Sequence, residues 1–214
     1  MINRQLQNFI SLTIILACIL FATAILYNVH ATSREAKRFV EDFAGLTVNT
    51  TDFERVRAFA TSYKDAANLE PRLVGTGSVD CHPEKCNFAF MFENGWLRRL
   101  RLAPPVWVRA NVVVQNGLMT YKHVEIASGG GPAFFLASVS EGAEPVAENA
   151  KTLSMGFRRS GEYRWQVFVH LAPEAPSTER QMAYSLNMKC LSRLGGCNDA
   201  QELLPSVTWP PKQE

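Results

Sequence analysis

The stretch that decides the fold is residues 106–126, which read VWVRANVVVQNGLMTYKHVEI. Apolar residues alternate with polar or aromatic residues on both sides of Gln115-Asn116-Gly117. Alternation with a period of two is typical of a half-buried antiparallel strand, and Asn-Gly is a strong hairpin signal. The sequence therefore predicts strands at 106–114 and 118–127, joined by a three-residue loop with Gly117 in the left-handed conformation.

A loop of this length sets the register of the hairpin, because a slip of one residue would turn every side chain to the other face. It pairs Val108 with Val124 on the apolar face, and it sets Trp107 opposite Glu125 and Arg109 opposite His123. The other face then carries six polar and aromatic side chains, which are Trp107, Arg109, Asn111, Tyr121, His123 and Glu125.

This six-residue face is the candidate ligand-binding site. Aromatic rings beside hydrogen-bonding groups are typical of surfaces that bind a sugar or a small polar ligand. Two alternatives stay open: Glu125 and His123 form a general acid/base pair, or the face is a solvated surface stabilised by cross-strand pairs.

The same alternation recurs along the chain and predicts about eight strands. These lie near 86–93, 97–103, 106–114, 118–127, 133–140, 152–159, 163–172 and 181–190. Asn94-Gly95-Trp96 and Ser160-Gly161-Glu162 are expected as three-residue hairpin loops, which set Phe90 against Leu100 and Phe157 against Trp165. Strands at this spacing predict an α+β, mainly β protein with an antiparallel β-sandwich or jelly-roll-like domain.

Two short amphipathic helices are expected before the strands. Thr32-Ser33-Arg34-Glu35 and Thr51-Asp52-Phe53-Glu54 have the pattern of capping boxes, and Gly45 would end the first helix. These helices form a helical membrane-proximal segment at 28–70. The antiparallel β domain then covers 71–205, and residues 206–214 are a tail.

Residues 9–27 form an apolar run of 19 residues without a charge. As a helix the run would be roughly 28 Å long, close to the thickness of a hydrocarbon core. It is predicted to be a transmembrane signal anchor that follows a short tail at 1–8. Two alternatives are a cleaved signal peptide that ends at Ala31 and a lipoprotein that is modified at Cys18.

Four cysteines lie beyond the span, in the patterns C-x4-C and C-x6-C. The expected disulfides are Cys81–Cys86 and Cys190–Cys197, because each would close a short loop. A zinc site and free thiols are the alternatives, although the second spacing is wider than in most structural zinc sites.

Two signals disagree about which side of the membrane the domain occupies. Disulfides place it in the periplasm or outside the cell. The basic residues oppose this, since Arg4 precedes the span whereas Arg34, Lys37 and Arg38 follow it. The localisation predicted from the cysteines is single-pass membrane with an extracytoplasmic domain.

The charge balance and the motifs narrow the function. A formal net charge of +2 gives no reason to expect nucleic acid as a partner. The sequence shows no phosphate-binding loop, no nucleophile elbow and no histidines at metal-ligand spacing, so no cofactor and no metal are expected. The sequence also contains two clusters of arginines. They either contact anionic lipid headgroups or keep strand edges solvated. One cluster is Arg98, Arg99 and Arg101, and the other is Arg158, Arg159 and Arg164.

The sequence predicts a membrane-anchored extracytoplasmic protein without enzymatic activity, a binding or structural module of the cell envelope. Its expected partners are the membrane, through the N-terminal helix, and an envelope polymer or a membrane protein. Two alternatives remain: an extracytoplasmic hydrolase of sugar or peptide polymers, and an accessory subunit of a membrane complex.

Overall fold

The computed structural model describes residues 2–68, 81–130, 133–142, 153–159 and 165–206. The helices are α1 Ile2–Ala44, α2 Phe53–Ser62, α3 Gly95–Arg99, α4 Ser177–Ala183, a 3-10 helix Met188–Leu191, and α5 Ala200–Leu203. The strands are β1 Ala67–Asn68, β2 Lys85–Glu93, β3 Val106–Gln115, β4 Leu118–Gly130, β5 Ala133–Gly142, β6 Leu153–Arg159 and β7 Trp165–Leu171. The α+β, mainly β class is confirmed.

The strands form one seven-stranded sheet in the order β1-β2-β3-β4-β5-β7-β6. Neighbouring strands are antiparallel except β5 and β7, which run parallel. The predicted sandwich is therefore wrong for the described residues, which contain a single mixed sheet with helices packed on one face. We call that face the core face and the other the open face.

Two of the predicted strands are helical. Residues 181–190 fall in α4, a short connection and the 3-10 helix, where Tyr184, Leu186 and Met188 are buried against the core face. Residues 97–103 fall in α3 and the turn after it, and Leu100 and Leu102 are exposed. Apolar residues alternate in both segments, but only over a few residues. A pattern this short does not distinguish a strand from a short helical or irregular segment that packs against the core.

The first helix is longer than predicted. It runs through Thr32–Glu35 without a break, so this motif does not start a helix, and the helix ends at Ala44 as Gly45 indicates. From Phe9 onward it is long and apolar enough to cross a membrane, and its most apolar stretch of 18 residues has a mean hydropathy of 2.7. The buried Ser33 hydroxyl donates a hydrogen bond to the Met188 carbonyl at 2.7 Å.

The C-terminal part of α1 enters the core of the domain. Phe39 and Phe43 are fully buried, and the Phe39 ring lies 4.9 Å from the ring of Phe90 and 5.2 Å from that of Phe92, measured between centroids. The helix that is long and apolar enough to cross a membrane therefore continues into the core of the domain.

The second helix is confirmed, but it starts one residue later than the motif suggested. The Asp52 carboxylate caps it by accepting a hydrogen bond from the Arg55 amide at 2.8 Å. The Thr51 hydroxyl instead accepts from the Thr47 amide at 2.9 Å. Another aspartate, Asp199, caps α5, and its carboxylate accepts a hydrogen bond from the Gln201 amide at 3.1 Å.

The β3–β4 register differs from the prediction by two residues. Gln115 lies opposite Leu118, so the turn consists of Asn116 and Gly117, with φ of 53° and 81°. Positive φ at both positions is what the tightest hairpin turns require. A bulge at Val113/Val114 then sets Val108 opposite Ile126 instead of Val124. A shift of two residues keeps the side chains of 106–113 and 121–126 on their predicted faces, whereas next to the turn Met119 is buried and Leu118 is exposed.

The other two predicted hairpins are also corrected. β2 pairs with β3, which sets Phe90 opposite Ala110, because α3 follows β2 where a hairpin was expected. Between β6 and β7, Phe157 lies opposite Val167 instead of Trp165. The predicted loop at 160–162 lies outside the described residues.

The cysteines pair as predicted. Cys81 and Cys86 form one disulfide with their Cα atoms 4.8 Å apart, and Cys190 and Cys197 form the other at 5.2 Å. Cys18 is free and exposed.

Each disulfide closes a loop that holds one end of the β3–β4 hairpin. The loop closed by Cys81–Cys86 meets the turn, where the Gly117 amide donates to the Pro83 carbonyl at 2.7 Å. At the other end, the Ser128 hydroxyl donates to the Cys197 carbonyl at 2.8 Å. The disulfides therefore brace the hairpin that carries the predicted site.

Candidate functional site: the open face of the sheet

The six residues of the predicted site all lie on the open face of β3 and β4. Their cross-strand partners differ from the prediction, because the register is shifted by two residues. Asn111 lies opposite His123 and Arg109 lies opposite Glu125. Trp107 and Tyr121 face Ala127 and Val113 instead of members of the set.

The neighbouring strands extend this surface. Ser140 of β5 lies opposite His123, and His170 of β7 lies opposite Ser140. Asn111, His123, Ser140 and His170 therefore form one line across four strands, which we call the polar row. With about 4.8 Å between strands, the polar row is roughly 14 Å long.

Sequence reasoning missed Ser140 and His170 as members of the site. The alternation places both on the open face of their strands, which was a usable signal. Their neighbourhood depends on the parallel pairing of β5 with β7, two strands that are separated in sequence by β6. Strand pairing of this kind has no short-range signature.

Two hydrogen-bonded pairs lie within and beside the polar row. His123 Nε2 is 3.4 Å from Glu125 Oε2, and Ser140 Oγ is 3.1 Å from His170 Nδ1. The side chains of His123 and Glu125 are 20% and 18% exposed, so both are reachable from solvent and largely desolvated.

The second nitrogen of each imidazole is unsatisfied. His123 Nδ1 and His170 Nε2 are buried, and neither has a hydrogen-bond partner among the described residues. A buried polar atom without a partner costs about 1–3 kcal/mol. Both nitrogens are shielded from solvent, so a ligand would reach the polar row through the partly exposed parts of Asn111, His123, Ser140 and His170.

Aromatic rings border the polar row. The rings of Tyr121 and His123 are nearly parallel, with 6.3 Å between centroids and 6° between planes. The Arg109 guanidinium lies over the Trp107 ring at 5.2 Å from its centroid. The surface thus offers flat apolar rings beside amide, hydroxyl and imidazole groups.

The described residues do not assemble a catalytic relay on this face. A serine nucleophile needs a histidine base that is itself oriented by a third group, commonly a carboxylate. Ser140 contacts His170, but the remaining ring nitrogen of His170 has no partner in the described part of the chain. Glu125 is bonded to the other histidine.

A second polar cluster, on the core face, was not anticipated from the sequence. Lys122 is fully buried, and its ammonium donates to the carbonyls of Phe43, Ala44 and Leu46 at 3.1, 3.3 and 2.5 Å. It also lies 3.3 Å from Glu141. Lys122 therefore caps the C-terminus of α1, where a positive charge is favourable.

Arg180 completes this buried cluster. Its Nη1 donates to both Glu141 oxygens, at 2.6 and 2.5 Å, and its Nη2 donates to the Pro173 carbonyl at 2.6 Å. Burial lowers the pKa of Lys122 to about 8, although Glu141 opposes the shift. The cluster joins α1, the sheet and α4, which is a structural role.

A groove of about 560 Å³ lies beside this cluster, between α1 and α4. Lys37 and Glu41 line it on the α1 side, and Gln181 lines it on the α4 side. Arg180 also reaches the groove, but its hydrogen bonds are made to Glu141 and backbone carbonyls. The open face therefore remains the better candidate for a ligand site.

Among the described residues no group of three or more His, Cys, Asp or Glu side chains is arranged to hold a metal ion. In comparisons with known proteins, no family model, no curated protein and no solved structure matches the chain. Function is therefore argued from the chemistry of the surfaces alone.

Proposed function

We propose that this protein is a membrane-anchored extracytoplasmic binding module whose open sheet face binds a hydroxyl-rich polymer of the cell envelope. The observation that carries the proposal is the polar row itself, a line of four partly exposed side chains across four strands: Asn111, His123, Ser140 and His170. The row presents both donors and acceptors, which is what sugar hydroxyl groups match.

The charge of the surface favours a neutral ligand. Arg109 lies directly opposite Glu125, so the two formal charges on this part of the face offset each other. The rings of Trp107 and Tyr121 add flat apolar surface of the kind that packs against sugar rings. A strongly anionic polymer would need an excess of basic side chains on this face.

The disulfides support the extracytoplasmic location. Disulfides persist in oxidising compartments and are rare in the cytoplasm. The basic residues after the span point the other way, but the charge bias is a statistical preference for orientation. A disulfide, by contrast, depends directly on the redox state of the compartment.

The proposal is tested with the full chain in lipid nanodiscs on an array of envelope glycans. We expect one class of neutral glycan to bind. Replacing Asn111→Ala and His123→Ala together should weaken that binding at least about tenfold, since two hydrogen bonds of about 1 kcal/mol each are lost. Glu54→Ala, an exposed change on α2, is the matched control. Absence of any bound glycan, or equal binding by both variants, would refute the proposal.

A hydrolase is the second candidate, and the 3.1 Å contact between Ser140 and His170 favours it. A fluorophosphonate probe labels activated serines and distinguishes the two functions. The binding module should remain unlabelled and should keep its glycan affinity in Ser140→Ala within about fivefold, because one hydrogen bond of about 1 kcal/mol is lost. Labelling that disappears in Ser140→Ala would establish a hydrolase.

A further inference from the structure

Helix α3 lies directly beside the membrane-crossing part of α1. Leu97 is 1% exposed because its side chain packs against Ile25 and Val29. The rings of Trp96 and Phe21 meet edge to face, with 6.4 Å between centroids. The domain therefore touches α1 within the apolar run as well as at its C-terminal end.

The residues that surround this contact expose large apolar side chains. Trp96 is 40% exposed and Leu102 is 49% exposed. Leu194 is 62% exposed and lies close by, since the Gly195 amide donates to the Leu102 carbonyl at 3.0 Å. Exposed apolar residues are ordinary when scattered, but these adjoin a helix that is itself apolar and exposed.

Basic side chains accompany the apolar ones. Arg98, Arg99 and Arg101 are all exposed. The Arg99 guanidinium lies 5.8 Å from the centroid of the Trp96 ring. Arginine side chains at a membrane surface extend to the phosphate level while their stems stay in apolar surroundings.

The depth of the contact fits an interfacial position. Phe21 lies six residues before Tyr27, the end of the predicted span, which corresponds to about 9 Å along the helix axis. Interfacial segments insert their apolar face roughly 5–10 Å into the boundary of headgroups and acyl chains. Tryptophan is enriched at this level.

We infer that α3 and the turn after it, residues 95–102, together with Leu194, form a second membrane contact. Trp96, Leu102 and Leu194 enter the leaflet from which α1 emerges, and the three arginines bind anionic phospholipid headgroups. Two attachments fix the tilt of the domain above the bilayer, which a single helix does not do.

The test uses lipids brominated near the top of the acyl chains, since bromine quenches tryptophan at contact. A full-length variant keeps Trp96 alone, with Trp107, Trp165 and Trp209 replaced by Phe, in nanodiscs of phosphatidylcholine and phosphatidylglycerol. Trp96 should lose at least about half of its emission at this depth. A matched variant whose only tryptophan is Gln115→Trp should keep its emission, because Gln115 is exposed at the opposite end of β3 from α3.

A second arm tests the charge. Quenching of Trp96 should be greater in discs with phosphatidylglycerol than in discs of phosphatidylcholine alone. Arg98→Gln, Arg99→Gln and Arg101→Gln combined should abolish this difference, because each basic residue near an anionic surface adds to binding. An unchanged difference in the triple variant would overturn the assignment of the arginines.

Equal emission of Trp96 in brominated and ordinary lipid would overturn the membrane contact. If the single-tryptophan variants fail to form both disulfides, Trp96→Phe in the otherwise native chain replaces them. In the native chain, brominated lipid should quench part of the tryptophan emission. In Trp96→Phe this lipid-dependent quenching should be absent. Trp96 could also be unquenched by lipid and at the same time shielded from acrylamide in the water. That result would contradict the inference, because it would mean that the segment contacts a protein partner.

Discussion

At the scale of single residues, the side chain of Lys122 joins the end of α1 to the sheet. The alternation of Tyr121-Lys122-His123 places Lys122 on the core face, and this was readable from the sequence. Its partners were not readable, because the carbonyls at the end of α1 and the carboxylate of Glu141 come from distant parts of the chain.

Replacing Lys122→Met should destabilise the domain by about 3 kcal/mol, because it removes one partner from a buried ionic cluster and the cap from α1. The free energy of unfolding in urea, followed by tryptophan fluorescence in detergent, measures the effect. Lys64→Met, at an exposed position after α2, is the control and should change little. A loss below about 0.5 kcal/mol in the core variant would contradict the role given to Lys122.

The pKa of Lys122 also predicts a dependence of stability on pH. The pKa is about 8 in the folded protein, below the ordinary value of 10.5, so between these values the unfolded chain binds more protons. The free energy of unfolding should therefore rise with pH above about 8, by at most about 1.4 kcal/mol per pH unit.

Urea unfolding at pH 7.5, 8.5 and 9.5 measures this rise. The range stays below pH 10, where the raised pKa values of Tyr63 and Tyr184 act in the opposite direction. The slope should disappear in Lys122→Met. An equal slope in both proteins would assign the dependence to other groups.

At the scale of elements, the positions of six strands were predictable and their registers were not. The alternation identifies which residues face the core, and it is unchanged by a shift of two residues. The loop chemistry suggested three-residue loops, whereas the bulge at Val113/Val114 and the two-residue turn at Asn116-Gly117 give another pairing. The six residues of the predicted site still share one face, because faces, unlike registers, follow directly from period two.

Helix α1 is the element on which the sequence motifs were most misleading. Thr32–Glu35 has the pattern of a helix start, but the chain there is already helical and packs against the 3-10 helix through Ser33. Tertiary packing makes the continuous helix favourable, since Ala36, Phe39 and Val40 become buried on it.

Ser33→Ala should therefore destabilise the domain by about 1 kcal/mol, because it removes a buried hydrogen bond between α1 and the 3-10 helix. Thr32→Ala is a close control, since its hydroxyl bonds only within the helix, to Asn28 at 3.0 Å. The comparison of the two unfolding free energies is the measurement. Equal values would mean that α1 is not held to the 3-10 helix by this bond.

At the scale of the whole molecule, the long apolar N-terminal helix, the mainly β class and the pairing of the cysteines followed from the sequence. The single sheet could not be predicted from the sequence. The segments at 97–103 and 181–190 have the alternation of strands, but in the structure they form short helices and turns. The resulting architecture has one helix, long and apolar enough to span a membrane, that continues into the core of a domain braced by two disulfides.

The central claim is that this domain lies in an oxidising compartment outside the cytoplasm. The most direct measurement blocks free thiols at the moment of lysis, isolates the full chain from membranes, and maps its cysteines by mass spectrometry. We predict that Cys18 alone is alkylated and that the peptides of Cys81 and Cys86, and of Cys190 and Cys197, are found linked. Alkylation of all four domain cysteines would contradict the disulfides and the extracytoplasmic location together.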